Sequence, residues 1–152
     1  SDARDLEAVA RSVAASILGN AGQTCVAGSR LVVQHAVQAE LVDRICRHLQ
    51  DVRPGPTWLA GTTLAPIISE RQAQRVDGIV RRAVAAGAEA RVGGRCLPPA
   101  QAGCWYEPTV LLGVASGSEA LREEIFGPVL VVLEVETMDE AIDLINCRHS
   151  ST

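Results

Sequence analysis

Val129-Leu130-Val131-Val132-Leu133-Glu134-Val135 is the strongest strand signal in the chain. Just downstream, Thr137-Met138-Asp139-Glu140 has capping-box spacing and opens a helix running to about Asn146. Upstream lie the turn Gly127-Pro128, a short helical turn from Ser118 to Glu123, and a second strand from Thr109 to Leu112. A Pro/Gly-rich loop spans Leu97 to Gly103, and a weak strand runs from Ala88 to Val92 before the turn Gly93-Gly94. Ser69-Glu70-Arg71-Gln72 repeats the capping-box spacing. It starts a helix whose apolar stripe is Val76, Ile79, Val80, Ala83 and Val84 and whose end is marked by Gly87. Before the Pro54-Gly55-Pro56 break come a helix from Val37 to Leu49 and a short buried strand from Arg30 to Gln34. The first helix runs from Asp5 to Leu18, with Leu6, Val9, Ala10, Val13 and Ile17 at three- and four-residue spacing, and Gly19 ends it. Strands separated by helices define an α/β layered domain with a mainly parallel sheet flanked by helices.

Composition narrows the function classes. The 152 residues are 47% hydrophobic and 21% charged, which suits one globular domain. The net charge of −4 and the absence of a basic stripe argue against a nucleic-acid partner. No apolar run reaches the ~18 residues of a membrane span, and no signal peptide is visible after Ser1. Every basic residue is Arg, so a Schiff-base lysine and a P-loop lysine are both ruled out for this stretch. Cys25, Cys46, Cys96, Cys104 and Cys147 form no C-x-x-C pair, and His35, His48 and His149 are scattered, so no metal site is expected. The thiols are read as reduced and the chain as cytoplasmic. The first residue is not Met, which points to an excised or processed piece.

Two stretches carry candidate chemistry. Asn20-Ala21-Gly22-Gln23-Thr24-Cys25-Val26-Ala27-Gly28-Ser29-Arg30 is a small-residue turn between a helix and a strand. Such a turn can expose a thiol and aim backbone N–H groups at one point, which favours the thiolate and an oxyanion formed by its attack on a carbonyl. Read from the residues alone, Cys25 is better taken as a small buried hydrophobe at a helix–strand junction. Cys46, beside Ile45 and Leu49, reads as core. The second stretch is Glu123-Glu124-Ile125-Phe126-Gly127-Pro128. A carboxylate there can accept from two neighbouring hydroxyls such as a ribose diol. The alternative is a solvated acidic turn before a buried strand.

Gly22-Gln23-Thr24-Cys25 with Gly28-Ser29-Arg30, and Glu123-Glu124-Ile125-Phe126-Gly127-Pro128-Val129 about a hundred residues later, together resemble the two signatures of the aldehyde dehydrogenase superfamily. Pro66-Ile67-Ile68-Ser69, Gly87-Ala88-Glu89, Gly93-Gly94 and Tyr106-Glu107-Pro108-Thr109-Val110 are similar to family segments between them. The resemblance implies that residues 1–146 are part of the thiol-bearing catalytic domain and that 147–152 are a divergent tail. It implies that Cys25 is the nucleophile, forming a thiohemiacetal and then a thioester on the way from aldehyde to carboxylate. Glu124 would bind the nicotinamide ribose hydroxyls of NAD or NADP, Phe126 would pack near the nicotinamide, and Gln72 would contact the cofactor. Arg75 stands near a basic family position. Ile17 and Leu18 stand where relatives often carry aromatics, which implies an aliphatic lining.

The same resemblance places the Rossmann cofactor domain, the general-base glutamate and the oxyanion-hole asparagine upstream of this stretch. The isolated chain is therefore expected not to turn over. Full-length members are homo-oligomers, and a face left open by a missing domain would make the piece self-associate. A non-catalytic remnant serving as a structural or interaction domain is the alternative. A cysteine hydrolase would need His35 or His48 beside the thiol.

Overall fold

The computed structural model describes residues 5–97 and 103–146. The tail 147–152, with Cys147 and His149, and most of the Leu97–Gly103 loop lie outside the described residues.

Helix α1 (Leu6–Leu18) starts at Asp5, whose carboxylate accepts from the Ala8 N–H, and buries Ala10, Ala14 and Ile17. Strand β1 (Arg30–Gln34) runs straight into α2 (His35–Gln50). That helix starts two residues before the expected Val37, because no side chain caps Gln34 and so no capping residue marks the start. Helix α3 (Glu70–Ala85) is capped by Ser69 Oγ, 3.2 Å from the Gln72 N–H. It ends in a Schellman arrangement: Ala88 N–H donates to Ala83 O and Gly87 N–H to Val84 O, with Gly87 at φ +103°.

Next come β2 (Glu89–Val92), β3 (Cys96–Leu97), β4 (Trp105–Tyr106) and β5 (Thr109–Leu112). The chain continues through α4 (Glu119–Arg122), β6 (Val129–Val135) and α5 (Met138–Asn146). The β3–β4 pair forms a separate antiparallel ribbon that the sequence reading left as loop ends. Two residues per strand are too few to show a period.

The main sheet has the order β1-β6-β5-β2. The β1–β6 and β6–β5 pairings are parallel, and β2 adds an antiparallel edge. The sheet is therefore mainly parallel and flanked by helices, as expected. One core lies between α3, α4 and the sheet and takes Val129 and Val131 from β6. The other lies between α1, α2 and the opposite face and takes Leu130 and Val132. Burial on both faces explains why β6 reads as an unbroken apolar run rather than an alternation. Ile17 belongs to the second core at 1% exposure, so packing against α2 and the sheet accounts for it and it lines no surface. No helix among the described residues is long and apolar enough to cross a membrane.

Candidate active site

Both signature stretches lead to the same end of the sheet's parallel strands. The first leads into the start of β1 and the second into the start of β6, and these strands are parallel neighbours. The two turns meet at a pair of glycines. Gly22 has φ +69°, and a Cβ there would lie 2.1 Å from the Gly127 carbonyl oxygen. A Cβ on Gly127 would in turn lie 2.7 Å from Val76 Cγ2 on α3. Only hydrogen fits at either contact, so backbone packs on backbone and α3 closes the stack.

The turn before Cys25 is strained and internally braced. Asn20 and Ala21 also have positive φ, 49° and 53°, so three successive residues are left-handed. Asn20 Nδ2 donates to Gln23 O, and Gln23 Nε2 donates to Asn20 O. Gln23 also reaches across to the loop before α3: its Nε2 donates to Pro66 O, and its Oε1 accepts from the Ile68 N–H at 2.8 Å. A turn closed by Ala27 N–H to Thr24 O then places Cys25 and Val26 at its two central positions. Cys25 is exposed, so the reading of it as a buried hydrophobe does not hold. Beyond it, Ser16 Oγ of α1 accepts from the Gly28 N–H at 2.7 Å and fixes the return into β1.

The acidic turn is held by its main chain. Arg30 donates to Glu123 O at 2.7 Å. Arg75 Nη1 donates to Glu124 O and Ile125 O, and Gln72 Nε2 donates to Ile125 O and Phe126 O. Four successive carbonyls, 123–126, thus accept from side chains of β1 and α3. Ile125 is buried at 2%, whereas Glu124 and Phe126 on either side of it are exposed. Phe126 sits at φ 55°, a conformation a bulky residue keeps only when its surroundings impose it. Gln72 is not the return arm of a capping box. Its amide is diverted from Ser69 to the Ile125 and Phe126 carbonyls.

Among the described residues, Cys46, Cys96, His35 and His48 lie on other elements. Cys46 is buried on α2, as expected, and burial pushes its thiol pKa up. Cys96 is exposed on β3, and partial desolvation of its thiol raises its pKa as well. His35 follows the far end of β1, about 17 Å along the strand from where the Cys25 turn enters. Its Nδ1 meets Glu134 Oε1 at 2.5 Å, which raises its pKa. His48 Nε2 meets Glu7 Oε1 at 2.7 Å. Both imidazoles are engaged by carboxylates, which removes the support for a cysteine–histidine dyad. Ligand-type atoms of His35, Glu134 and Glu136 lie within 4.8 Å of one another, all exposed, at the ends of β1 and β6 away from the Cys25 turn.

The α/β sheet thus carries an exposed thiol and an exposed carboxylate on adjacent, interlocked turns. Likeness to known proteins gives the class. The model of the aldehyde dehydrogenase family matches residues 1–150, and the chain belongs to that family. It is 36% identical over 145 residues to 3,6-anhydro-alpha-L-galactose dehydrogenase of Streptomyces coelicolor, covering 93% of this chain and 29% of that protein. It is 37% identical to succinate-semialdehyde dehydrogenase [NADP(+)] of Deinococcus radiodurans, covering 95% of this chain and 30% of that one. The crystal structure of an NAD-dependent aldehyde dehydrogenase from Sinorhizobium meliloti superposes with a TM-score of 0.88 at 39% identity, over 93% of this chain and 28% of the other. The chain thus spans less than a third of the length of the relatives it matches.

Proposed function

We propose that this chain is the thiol-bearing portion of the catalytic domain of an NAD(P)-dependent aldehyde dehydrogenase, with Cys25 as nucleophile. The observation that carries the reading is the Gly22–Gly127 approach, which fixes the thiol turn against the acidic turn. Cys25 as thiolate adds to the aldehyde carbon, and the carbonyl oxygen takes up the charge as a thiohemiacetal. Backbone N–H groups of the turn, including that of Cys25, would receive that oxygen. Loss of hydride from the same carbon leaves a thioester on Cys25, and water releases the carboxylate and regenerates the thiol.

The residues present fit one end of a dinucleotide. Glu124 offers an exposed carboxylate whose oxygens make no hydrogen bond or ion pair with the described residues, which suits a ribose diol. Phe126 presents a ring at 37% exposure beside it, which suits the nicotinamide face. Gln72 serves the same end by holding the Ile125 and Phe126 carbonyls. The nicotinamide, when bound, supplies the hydride acceptor. NAD and NADP both occur in the names of the relatives, and the aldehyde is of the family's substrate class.

Alone, the chain should acylate but not turn over. With p-nitrophenyl acetate, the Cys25 thiolate displaces nitrophenolate and keeps the acetyl group as a thioester. The expected result is a burst of up to one nitrophenolate per chain, an acetyl group on the Cys25 peptide, and no sustained release. A burst unchanged in Cys25→Ser, or oxidation of an aldehyde with NAD at ordinary enzyme rates, would contradict the reading.

A further inference from the structure

Glu123 and Glu124 are adjacent carboxylates of the same length and charge, and the chain treats them differently. Arg75 Nη2 pairs with Glu123 Oε2 at 2.7 Å. The same guanidinium, through Nη1, holds the carbonyls of Glu124 and Ile125 at 3.1 and 3.0 Å. One planar fork therefore draws Glu123 back onto α3 and fixes the peptide that carries Glu124 outward. A point charge on a flexible stem could pair with Glu123 but could not reproduce that fork. The Arg75–Glu123 pair is partly solvent-exposed, 37% and 53%, and such pairs add little to stability.

We propose that Arg75 is a positioning residue that sorts the two carboxylates, withholding Glu123 and presenting Glu124 with Phe126 to the nicotinamide-ribose end of the cofactor. The proposal rests on the reading of Glu124 as the ribose ligand. Without Arg75, two like charges would share the turn, and the carbonyls of Glu124 and Ile125 would each lose a contact. Arg30 would still hold Glu123 O, and Gln72 would still hold Ile125 O and Phe126 O, so the loss would fall on the Glu123 side chain and the Glu124 carbonyl.

Phe126 is the only phenylalanine in the chain, so replacing it biosynthetically with 4-fluorophenylalanine gives one fluorine resonance at the turn. The 152-residue chain is titrated with nicotinamide mononucleotide, which carries the ribose and nicotinamide without the adenosine half. The wild-type chain should give one narrow line that shifts on titration. Arg75→Met should melt like the wild type yet show a broadened or split line and lose the shift. Arg75→Lys should restore the shift only in part. Glu124→Gln should keep the narrow line and lose the shift. A narrow line with an unchanged shift in Arg75→Met overturns the proposal. Should that variant not fold, a full wild-type shift in Arg75→Lys overturns it equally. A wild-type line that never responds to the mononucleotide contradicts the ribose reading of Glu124 instead, and the linewidths of the Arg75 variants still decide whether this side chain holds the turn.

Discussion

At Gly22 a methyl group in place of a hydrogen would be driven into the Gly127 carbonyl, 2.1 Å away, from a backbone already left-handed. Gly22→Ala should therefore cost about 2 kcal/mol in thermal or urea unfolding, from backbone strain and steric overlap together. It should also slow acylation of Cys25, because the thiol turn can no longer seat on its partner. An unchanged melting temperature and acylation rate would show that the turns do not touch. Single residues also mark where the sequence was hard to read. Cys25 and Glu124 are legible only through the resemblance of their two motifs to a family's signatures, since the residues alone favour a buried thiol and a solvated acidic turn. Arg30 did not, since its partner is the carbonyl of Glu123, 93 positions away, and no local pattern encodes that separation. Gln72 was misleading in a definite way. Its spacing from Ser69 matched a capping box, but a tertiary acceptor competed for its amide.

Among the elements, two helices with the same start signal behave differently. At α5, Thr137 Oγ1 accepts from the Glu140 N–H, and Glu140 Oε2 accepts from Glu136 and Thr137 N–H groups, so the box is closed. At α3 only the Ser69 half is made. Ser69→Ala should cost about 1 kcal/mol, read by chemical denaturation. The ribbon β3–β4 offers a complementary test. Tyr106 is fully buried, and its hydroxyl has no hydrogen-bond partner among the described residues. Tyr106→Phe should leave stability equal or raise it by about 1 kcal/mol, since the unpaired oxygen is removed and the ring kept. A loss of more than that would reveal a partner for the hydroxyl. Long elements were legible because their apolar period repeats several times. The strands Arg30–Gln34, Thr109–Leu112 and Val129–Val135 match their expected limits. The antiparallel direction of β2 was not legible, because a four-residue strand encodes its pairing partner only through the sheet it joins.

For the whole molecule, the α1–α2 layer is tied by one carboxylate. Glu7 accepts from Arg44 and meets His48, and these bonds hold its pKa below the ordinary glutamate value, the Arg44 contact most of all. A carboxylate depressed on folding contributes stability above its unfolded pKa, and that contribution disappears as pH falls through the folded value. The melting temperature of the wild-type chain should therefore drop more between about pH 5 and about pH 3 than that of Glu7→Gln. Parallel curves would mean that Glu7 adds nothing. The layered α/β class followed from the alternation of strands and helices. That the thiol turn and the acidic turn share one end of the sheet did not, because it depends on β1 and β6 becoming parallel neighbours across a hundred residues. Resemblance to a family supplied what spacing could not.

The most direct measurement is the order in which iodoacetamide labels the thiols of the native chain at about pH 7.5, followed by peptide mapping. Cys25 is exposed on a turn, whereas Cys46 is buried on α2, and burial raises its thiol and lowers its thiolate fraction. Carbamidomethyl should appear on the Cys25 peptide roughly tenfold faster than on the Cys46 peptide. Labelling of Cys46 at the same rate as Cys25, or ahead of it, would contradict the presentation of this sulfur for carbonyl chemistry.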